Sequence, residues 1–204
     1  MASEGLLPRR IRVWSAGCST GEEPFSVAMF LLDHFSVENW EIEILATDIS
    51  SRALARAENG MWPIEKSAEL PDHYRKSYML KGTGTFANLM KAAPELRARV
   101  KFQRLNLNTD PYPGKFDLIL CCNVLIYFDA DSKKRALERM IRHLTPTGYL
   151  MLGHAETLNG VTDHLRTVGP TIYTTPTNAA GTRIFDRSRF SVPRTACGPC
   201  GSRS

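Results

Sequence analysis

The sequence lacks any apolar run long enough to cross a membrane. No window reaches the roughly 18 consecutive apolar residues that a spanning helix requires, and residues 1–12 are polar, without the apolar centre of a secretory signal. The five cysteines do not suggest a disulfide framework, because Cys121 and Cys122 are adjacent inside an apolar run and Cys18 stands alone. We therefore expect a globular, cytoplasmic protein with reduced thiols and no membrane insertion.

The body of the chain is nearly neutral in net charge. The net charge of +5 arises largely from residues 178–204, which hold five arginines and one aspartate. A nucleic-acid-binding protein usually carries its basic residues on a folded face among aromatic side chains, so we expect no nucleic acid partner. The tail from residue 177 to 204 is rich in Gly, Ser, Thr, Arg and Pro and is predicted to be disordered. We interpret its Cys197 and Cys200 as coincidence rather than a redox motif, because no helix can follow them.

Motifs for metals and phosphates are also absent. The five histidines have no ligand spacing, so no metal is expected. Gly17 and Gly21 follow the first predicted strand with the spacing Gly-x-x-x-Gly, which is neither the pattern of nicotinamide enzymes nor that of a P-loop. Glu22 and Glu23 come next and would repel a phosphate. This segment favours a ligand that presents hydroxyls and positive charge.

Apolar runs typical of buried parallel strands alternate with helical patterns, which predicts an α/β fold. The predicted strands cover 12–16, 41–47, 100–105, 116–122 and 149–153, with a last hairpin at 167–168 and 171–175. The predicted helices cover 22–35, 50–59 and 132–144. Ser50 is expected to cap the second of these helices and Gly60 to end it.

The alternation is interrupted between residues 61 and 99, where prolines and glycines separate short segments. We interpret this stretch as a small inserted lobe of short antiparallel strands and a helix. The predicted organisation is an N-terminal extension at 1–10, an α/β domain at 11–60 and 100–176, a small β-subdomain at 61–99, and a disordered basic tail at 177–204.

Polar residues follow four predicted strands, at the edge where ligands of such sheets bind. Gly17 frees the backbone to approach a ligand. Asp48 ends the second strand, where it can accept hydrogen bonds from both hydroxyls of a ribose or cap the following helix. Asn106 and Asn123 suit an adenine edge or an amino-acid group, although each alone could be a turn residue. Together they indicate S-adenosylmethionine, an adenosine with a positively charged tail.

Five segments, in order between about Arg12 and Thr174, support this reading. They are WSAGCSTGEEP at 14–24, ATDIS at 46–50, NL at 106–107, CNVLIYF at 122–128 and GHAE at 153–156. In these segments the chain closely resembles the chemotaxis-receptor glutamate methyltransferases, the CheR family. The resemblance implies a class I, Rossmann-like methyltransferase sheet, S-adenosylmethionine as methyl donor and S-adenosylhomocysteine as product. It also implies a glutamate carboxylate of a methyl-accepting chemotaxis receptor as acceptor.

Matched position by position, the resemblance assigns the cofactor contacts to Glu23, Asp48, Asn106, Leu107, Asn123 and Val124. The stretch 61–99 resembles the family's small β-subdomain, which in some members docks on a receptor tail. The family's N-terminal helical domain, which ends in a Phe-Phe-Arg-type segment, is missing from this sequence and could be supplied by a separate domain or partner. The arginine that usually precedes the asparagine of the fourth-strand motif is replaced by Cys122.

Methylation of a carboxylate requires no general base, because a glutamate is already ionised at neutral pH. Tyr127 is the candidate catalytic residue, since its hydroxyl could orient the acceptor; alternatively, Tyr127 and Phe128 anchor the loop apolarly. Glu156 borders the same edge and could equally serve the fold. The favoured hypothesis is a protein-glutamate O-methyltransferase. The alternatives are a non-catalytic module that binds S-adenosylmethionine or S-adenosylhomocysteine, and a methyltransferase with another substrate.

Overall fold

The computed structural model describes residues 9–154, 156 and 165–176. In chain order, its strands and α-helices are β1 (Arg9–Ala16), α1 (Glu22–His34), β2 (Trp40–Asp48), α2 (Ser51–Asn59), β3 (Met61–Pro63), α3 (Asp72–Tyr78), β4 (Met79–Lys81), β5 (Leu89–Ala92), α4 (Pro94–Arg97), β6 (Val100–Arg104), β7 (Phe116–Cys121), α5 (Ala130–Arg142), β8 (Leu144–Leu152), β9 (Arg166–Gly169) and β10 (Ile172–Thr174). The predicted tail at 177–204, with Cys197 and Cys200, lies outside the described residues, as do residues 1–8 of the predicted extension.

Seven strands form one sheet in the order β6-β2-β1-β7-β8-β10-β9. The first five of these run parallel, and β10 pairs antiparallel with both β8 and β9. The chain moves outward from β1 through β2 to β6 and then returns to β7 on the other side of β1. The strand order therefore reverses between β1 and β7, and open α/β sheets bind ligands at such a reversal. The predicted α/β fold is confirmed.

Both faces of the sheet are covered by helices, and β1 contributes side chains to each face in alternation. Val13 is fully buried in a cluster that includes Phe25 of α1. Its neighbour Trp14 is fully buried on the opposite face, in a cluster that includes Leu137 of α5. Burial of a side chain of this size contributes about 1.5–3 kcal/mol, so these two clusters hold the strand ends in place from both sides.

The segment between α2 and β6 forms a separate three-stranded antiparallel sheet in the order β3-β5-β4. Trp62 of β3 packs its ring against the edge of Phe25 at a centroid distance of 5.3 Å, and Met90 of β5 belongs to the same apolar cluster. The backbone N–H of Ala92 donates to the carbonyl of Gly60 at 2.8 Å. The small lobe therefore shares its core with the α1 side of the main sheet.

The predicted ends of α2 are confirmed. Ser50 is the N-cap, and its hydroxyl accepts the backbone N–H of Ala53 at 3.2 Å. Gly60 ends the helix with a φ of 58°, in the left-handed region that glycine tolerates. The cap at Ser50 fixes the direction in which the chain leaves β2.

The first strand begins earlier than the sequence predicted. Arg9 and Arg10, which the sequence placed in an N-terminal extension, pair in β1 with Trp40 and Glu41 of β2. Arg10 also forms an ion pair with Glu43 on β2. Because backbone pairing with β2 continues to the N-terminal end of β1, the strand begins at Arg9 rather than at residue 12.

The boundary between α5 and β8 also differs from the prediction. Asp129 caps α5 through the backbone N–H of Ser132 at 2.7 Å, so the helix starts at residue 130 and ends at residue 142. β8 then starts at Leu144 instead of Tyr149. An irregular register between β7 and β8 accommodates Pro146 within the strand. No helix in the described ranges is both long and apolar enough to cross a membrane.

Candidate cofactor site

A pocket of about 550 Å³ opens beyond the carboxyl ends of β1, β2, β6 and β7, where the strand order reverses. Its volume lies in the range of about 300–1,000 Å³ that small-molecule and cofactor sites occupy. It is lined by Gly17, Ser19, Asp48, Ile49, Leu105, Asn106, Leu107, Asn108, Asn123, Val124, Tyr127 and Phe128.

The structure brings most of the sequence-predicted site residues together around this pocket. The residues that line it are Gly17, Asp48, Asn106, Leu107, Asn123, Val124 and Tyr127. Glu23 is not among the lining residues. The sequence analysis did not name Ser19, Ile49, Leu105, Asn108 and Phe128 as site residues. Most of these adjoin a predicted residue, so extending each strand end by one position along the chain would have found them.

Gly17 is required by its position between the first strand and the pocket wall. Its φ is 88°, and a Cβ added there would lie 2.3 Å from Cγ2 of Val124. Its backbone N–H donates to the carbonyl of Thr47 at 2.8 Å, which ties the loop to β2. The close approach of Gly17 to Val124 brings the loops after β1 and β7 into contact at the base of the pocket.

Asp48 bridges two loops at the end of β2. One carboxylate oxygen accepts the backbone N–H of Ser19 and the other that of Ser50, each at 2.8 Å. Because Ser50 itself caps α2, Asp48 is not needed as the helix cap. An ionised carboxylate offers about four acceptor positions, so both oxygens retain capacity for a further hydrogen bond. The arrangement matches what a pair of ribose hydroxyls requires.

Glu156 organises the loop after β7 from within the core. Its side chain is 0% exposed. One carboxylate oxygen accepts the backbone N–H groups of residues 124–126 at 2.9, 2.6 and 3.2 Å. The other accepts those of Asn123 and Gly153, both at 2.9 Å. Five N–H donors compensate for burying the carboxylate. The sequence left open whether Glu156 serves the fold or the site. The structure shows both, because the hydrogen bonds of this buried side chain hold a wall of the pocket.

Glu23 lies in a neighbouring, partly buried position. The hydroxyl of Ser15 donates to its carboxylate at 2.6 Å, and the thiol of Cys122 also hydrogen-bonds to it. Burial raises the pKa of Glu23, as does repulsion from Glu156, and these effects outweigh the two hydrogen bonds. Where the family resemblance leads one to expect an arginine, Glu23 has a thiol neighbour. Burial raises the pKa of that thiol to about 12, so Cys122 is uncharged.

Two further contacts connect the glycine loop to the small lobe. Lys66 pairs with Glu22 at 2.6 Å between Nζ and Oε1. The hydroxyl of Thr20 donates to the other oxygen of Glu22 at 2.6 Å. Hydrogen bonds from Lys66 and Thr20 lower the pKa of Glu22 against the opposing effect of burial. The first residue of α1 thus links the loop that carries Gly17 to the small lobe.

Tyr127 and Phe128 have different environments. The two roles considered for them, orienting the acceptor and anchoring the loop, therefore fall to different residues. Phe128 packs against the apolar cluster on the α5 side of the sheet. The side chain of Tyr127 is 82% exposed, at the mouth of the pocket. Phe128 therefore anchors the loop, and Tyr127 is available to a molecule that approaches the pocket.

The lining residues fit S-adenosylmethionine. Among the described residues that line the pocket, Asp48 is the only charged one, and its negative charge disfavours a phosphate. Asparagine side chains supply donors and acceptors, and apolar side chains supply contact area. Within the described ranges there is no group of three or more His, Cys, Asp or Glu residues that could hold a metal ion.

Comparisons with known proteins identify related sequences. The family model described as the CheR methyltransferase, SAM binding domain, matches residues 2–174. The chain is 38% identical over 167 residues to chemotaxis protein methyltransferase 2 of Pseudomonas aeruginosa, covering 81% of this chain and 60% of that protein. It is 37% identical over 164 residues to the chemotaxis protein methyltransferase of Escherichia coli K12, covering 79% and 57% respectively. The chain thus spans somewhat more than half the length of these relatives.

Solved structures with a similar chain path include two N-methyltransferases. The glycopeptide N-methyltransferase MtfA in complex with S-adenosylmethionine aligns with a TM-score of 0.43 and 17% identity, covering 70% of this chain and 46% of that one. NodS from Bradyrhizobium japonicum WM9, in complex with S-adenosylhomocysteine, aligns with a TM-score of 0.41 and 15% identity, covering 70% and 51%.

Proposed function

Since the chain belongs to the CheR methyltransferase family and contains its S-adenosylmethionine-binding domain, we propose that it transfers methyl groups to glutamate side chains of chemotaxis receptors. The product of the cofactor is then S-adenosylhomocysteine. The observation that supports this most strongly is the composition of the pocket lining. Polar residues after four strands, with Asp48 as the single charged side chain among the described lining residues, suit a cationic adenosine derivative.

Each strand end has its own part in the proposed site. Asp48 accepts the ribose hydroxyls, while Asn106 and Leu107 border the adenine. Val124 packs along the cofactor from the opposite wall, and Gly17 lets the backbone approach its amino-acid portion. Asn123 offers a donor and an acceptor to the same portion.

Glu23 contributes at longer range in this proposal. Its carboxyl accepts a hydrogen bond from Ser15 at the end of β1, close to the loop that carries Gly17, and supplies negative potential to the positively charged amino group and sulfonium. Because its pKa is raised by burial, a nearby cation would favour its ionised form.

Bound S-adenosylmethionine supplies an activated methyl group. The tasks left to this chain are to bind the cofactor, to orient the acceptor carboxylate and to exclude water. The acceptor glutamate has an ordinary pKa of about 4.3 and is ionised at neutral pH, which removes the need for a general base. None of the described residues that line the pocket is a histidine or lysine. Tyr127, at the mouth, is proposed to orient the acceptor carboxylate through its hydroxyl.

A cytoplasmic location belongs to the same proposal, because the acceptor residues would be presented there. Cys18, Cys121 and Cys122 are all free thiols. Free thiols are the state that a reducing compartment maintains.

The proposal is tested by incubating the chain with methyl-labelled S-adenosylmethionine and membranes that contain a chemoreceptor. We expect label on the receptor in a base-labile form that releases methanol, as a carboxyl methyl ester does. A receptor whose acceptor glutamates are replaced by glutamine should remain unlabelled. The Asp48→Asn chain serves as the matched control for the cofactor site. Base-stable label, or label on the glutamine receptor, would contradict glutamate methylation.

The second candidate is a module that binds the cofactor without catalysis. It is favoured by the open mouth of the pocket, where the lining residues Ile49 and Tyr127 are 56% and 82% exposed. Binding of S-adenosylhomocysteine by the chain, with no transfer to receptor membranes even at saturating cofactor, would select this candidate over the enzyme.

A further inference from the structure

Arg139 of α5 contacts the loop that follows β6, although α5 lies far from that loop in the sequence. Its guanidinium donates from Nη1 to the carbonyls of Leu107 and Asn108, at 2.9 and 3.1 Å. From Nη2 it donates to the carbonyl of Asp110. One half-buried side chain therefore satisfies three backbone acceptors of the segment 107–110, and Leu107 and Asn108 line the pocket.

The guanidinium is itself held in place by an aromatic stack. Its Cζ lies 3.9 Å from the centroid of the Tyr112 ring, a cation–π contact. The hydroxyl of Tyr112 donates to the carbonyl of Leu107 at 2.7 Å, so this carbonyl receives two donors. Tyr112 meets the fully buried Trp14 edge-on at 4.8 Å. The position of the loop is thus set by groups that are anchored in the core.

The side chain of Leu107 is buried in the apolar cluster on the α5 side of the sheet, and the remaining hydrogen bonds of the segment 106–110 are internal. The carboxylate of Asp110 accepts the backbone N–H of Asn106 at 2.9 Å, and the side chain of Asn106 accepts the N–H of Asn108 at 2.9 Å. These bonds shape the turn locally. They do not connect its backbone to α5, whereas the three hydrogen bonds from Arg139 do.

We propose that Arg139 is a positioning residue for the adenine side of the cofactor pocket. The proposal rests on the proposed function in taking this pocket as the S-adenosylmethionine site. Strands β1, β2 and β6 are consecutive in the sheet, with neighbours about 4.8 Å apart. With the amino-acid portion near Gly17 and the ribose at Asp48, the base extends to the end of β6. This is the wall that Arg139 holds.

The geometry requires a guanidinium rather than a positive charge alone. The planar fork donates to three carbonyls while its face stacks on Tyr112, and a compact ammonium group cannot make both sets of contacts in this geometry. Arg139→Lys keeps the positive charge but loses the planar guanidinium. Arg139→Gln loses both the charge and the guanidinium. If the role is positioning by the fork, the two variants should behave alike.

The test measures binding of S-adenosylhomocysteine and of methylthioadenosine, which has no amino-acid tail, by calorimetry on the whole chain. We expect Arg139→Lys and Arg139→Gln to weaken the binding of both ligands by about tenfold. This factor corresponds to the loss of one set of charge-assisted hydrogen bonds. The factor should be the same for both ligands, because the change lies on the adenosine side. Tyr112→Phe removes one donor to Leu107 and should weaken both ligands by a smaller factor.

Arg135→Lys is the matched control, because Arg135 lies on the same helix and its side chain bonds to Ser132, away from the loop. It should leave both affinities unchanged. Melting temperatures of all variants identify any general loss of folding. The titrations are run at a temperature at which every variant is folded, so that a change in affinity reports on the pocket wall and not on the folded fraction.

The proposal is overturned if Arg139→Lys binds both ligands as wild type does, or if only S-adenosylhomocysteine binding falls. These outcomes leave the proposed function intact. Failure of the wild-type chain to bind either ligand would instead contradict the cofactor site, and the role of Arg139 with it.

Discussion

The carboxylate of Glu156 accepts the backbone N–H of Asn123 at 2.9 Å and holds that residue at a φ of 60°. The left-handed conformation is uncommon for a residue other than glycine. It turns the chain sharply at the end of β7, so that Asn123 and Val124 line the pocket. A buried acid from the segment after β8 therefore stabilises the wall of a site that it does not itself line.

Replacing Glu156 by glutamine should damage both stability and binding. A glutamine amide presents N–H groups where the carboxylate oxygen accepts the N–H groups of Asn123 and Gly153. Leaving such buried donors unpaired costs about 1–3 kcal/mol each. We expect Glu156→Gln to lower the melting temperature and to weaken the binding of S-adenosylhomocysteine by about tenfold or more.

Glu58→Gln is the control for this substitution, since Glu58 is exposed on α2. Thermal unfolding and calorimetry on both variants measure the two effects. Unchanged affinity in Glu156→Gln would show that the Asn123 loop keeps its shape without the carboxylate.

A methyl group at Gly17 should close the pocket at its base. The added Cβ would lie 2.3 Å from Val124 in a backbone with a φ of 88°. Crowding of this kind costs about 1–3 kcal/mol, and the left-handed backbone about 1–2 kcal/mol more. We expect Gly17→Ala to destabilise the protein and abolish measurable S-adenosylhomocysteine binding.

Gly84→Ala isolates the backbone contribution, because Gly84 has a φ of 58° and nothing within 4 Å of an added Cβ. Adding Val124→Ala to Gly17→Ala should recover the part of the stability lost through the clash. The account fails at this point if Gly17→Ala costs no more stability than Gly84→Ala.

Glu23 should destabilise the free protein at neutral pH. Its folded pKa lies above the ordinary value of 4.5, chiefly through burial, so the folded state binds the proton more tightly than the unfolded state. The favourable contribution is fully present below the unfolded pKa and is lost as pH rises through the folded pKa. Glu23→Gln, which cannot ionise, should therefore melt higher than wild type at neutral pH.

The difference in melting temperature should shrink as pH falls towards 4.5. Melting curves of wild type and Glu23→Gln across this range, in the absence of cofactor, provide the measurement. A variant that melts lower than wild type at neutral pH, or a difference independent of pH, would contradict the linkage.

The core cysteines should be unreactive in the folded chain. Burial raises the pKa of Cys18 and of Cys122 to about 12, and burial raises that of Cys121 as well. Because the thiolate is the reactive form, iodoacetamide should label these thiols only after unfolding.

The labelling experiment uses a Cys197→Ser/Cys200→Ser background, so that the three core thiols account for the signal. Mass spectrometry at mildly alkaline pH, with and without denaturant, measures it. Rapid modification of the folded chain at Cys122 would mean that the thiol is ionised beside Glu23.

The sequence predicted the parts of this site that depend on strand ends. Asp48, Asn106 and Asn123 each follow an apolar run, and parallel strands bring such positions to one edge of the sheet. Glu23 was also predicted to contact the cofactor, and this stays a prediction: its carboxyl accepts a hydrogen bond from Ser15 and one from the thiol of Cys122. The orientation of this side chain on α1 depends on Ser15 at the end of β1 and Cys122 just after β7, and the contact with Cys122 leaves no trace in local spacing.

The contacts that hold the site in place could not be inferred from the sequence in the same way. Arg139 occupies an ordinary position for an arginine in the last turns of a helix, and its three acceptors are backbone carbonyls, which no sequence pattern reveals. The early start of β1 likewise depends on pairing of Arg9 with Trp40, a property of the assembled sheet. Residue types at strand ends were predictable, whereas long-range hydrogen bonds to the backbone were not.

The most direct test of the cofactor assignment is a calorimetric titration of the chain with S-adenosylhomocysteine, beside the Asp48→Asn variant. Asparagine keeps the size of Asp48 but loses the charge and half of the acceptor capacity towards ribose hydroxyls. We expect one bound ligand per chain, with an affinity that the substitution weakens by about tenfold or more. A folded wild-type chain that does not bind, or an Asp48→Asn chain that binds equally well, would contradict the assignment of this pocket.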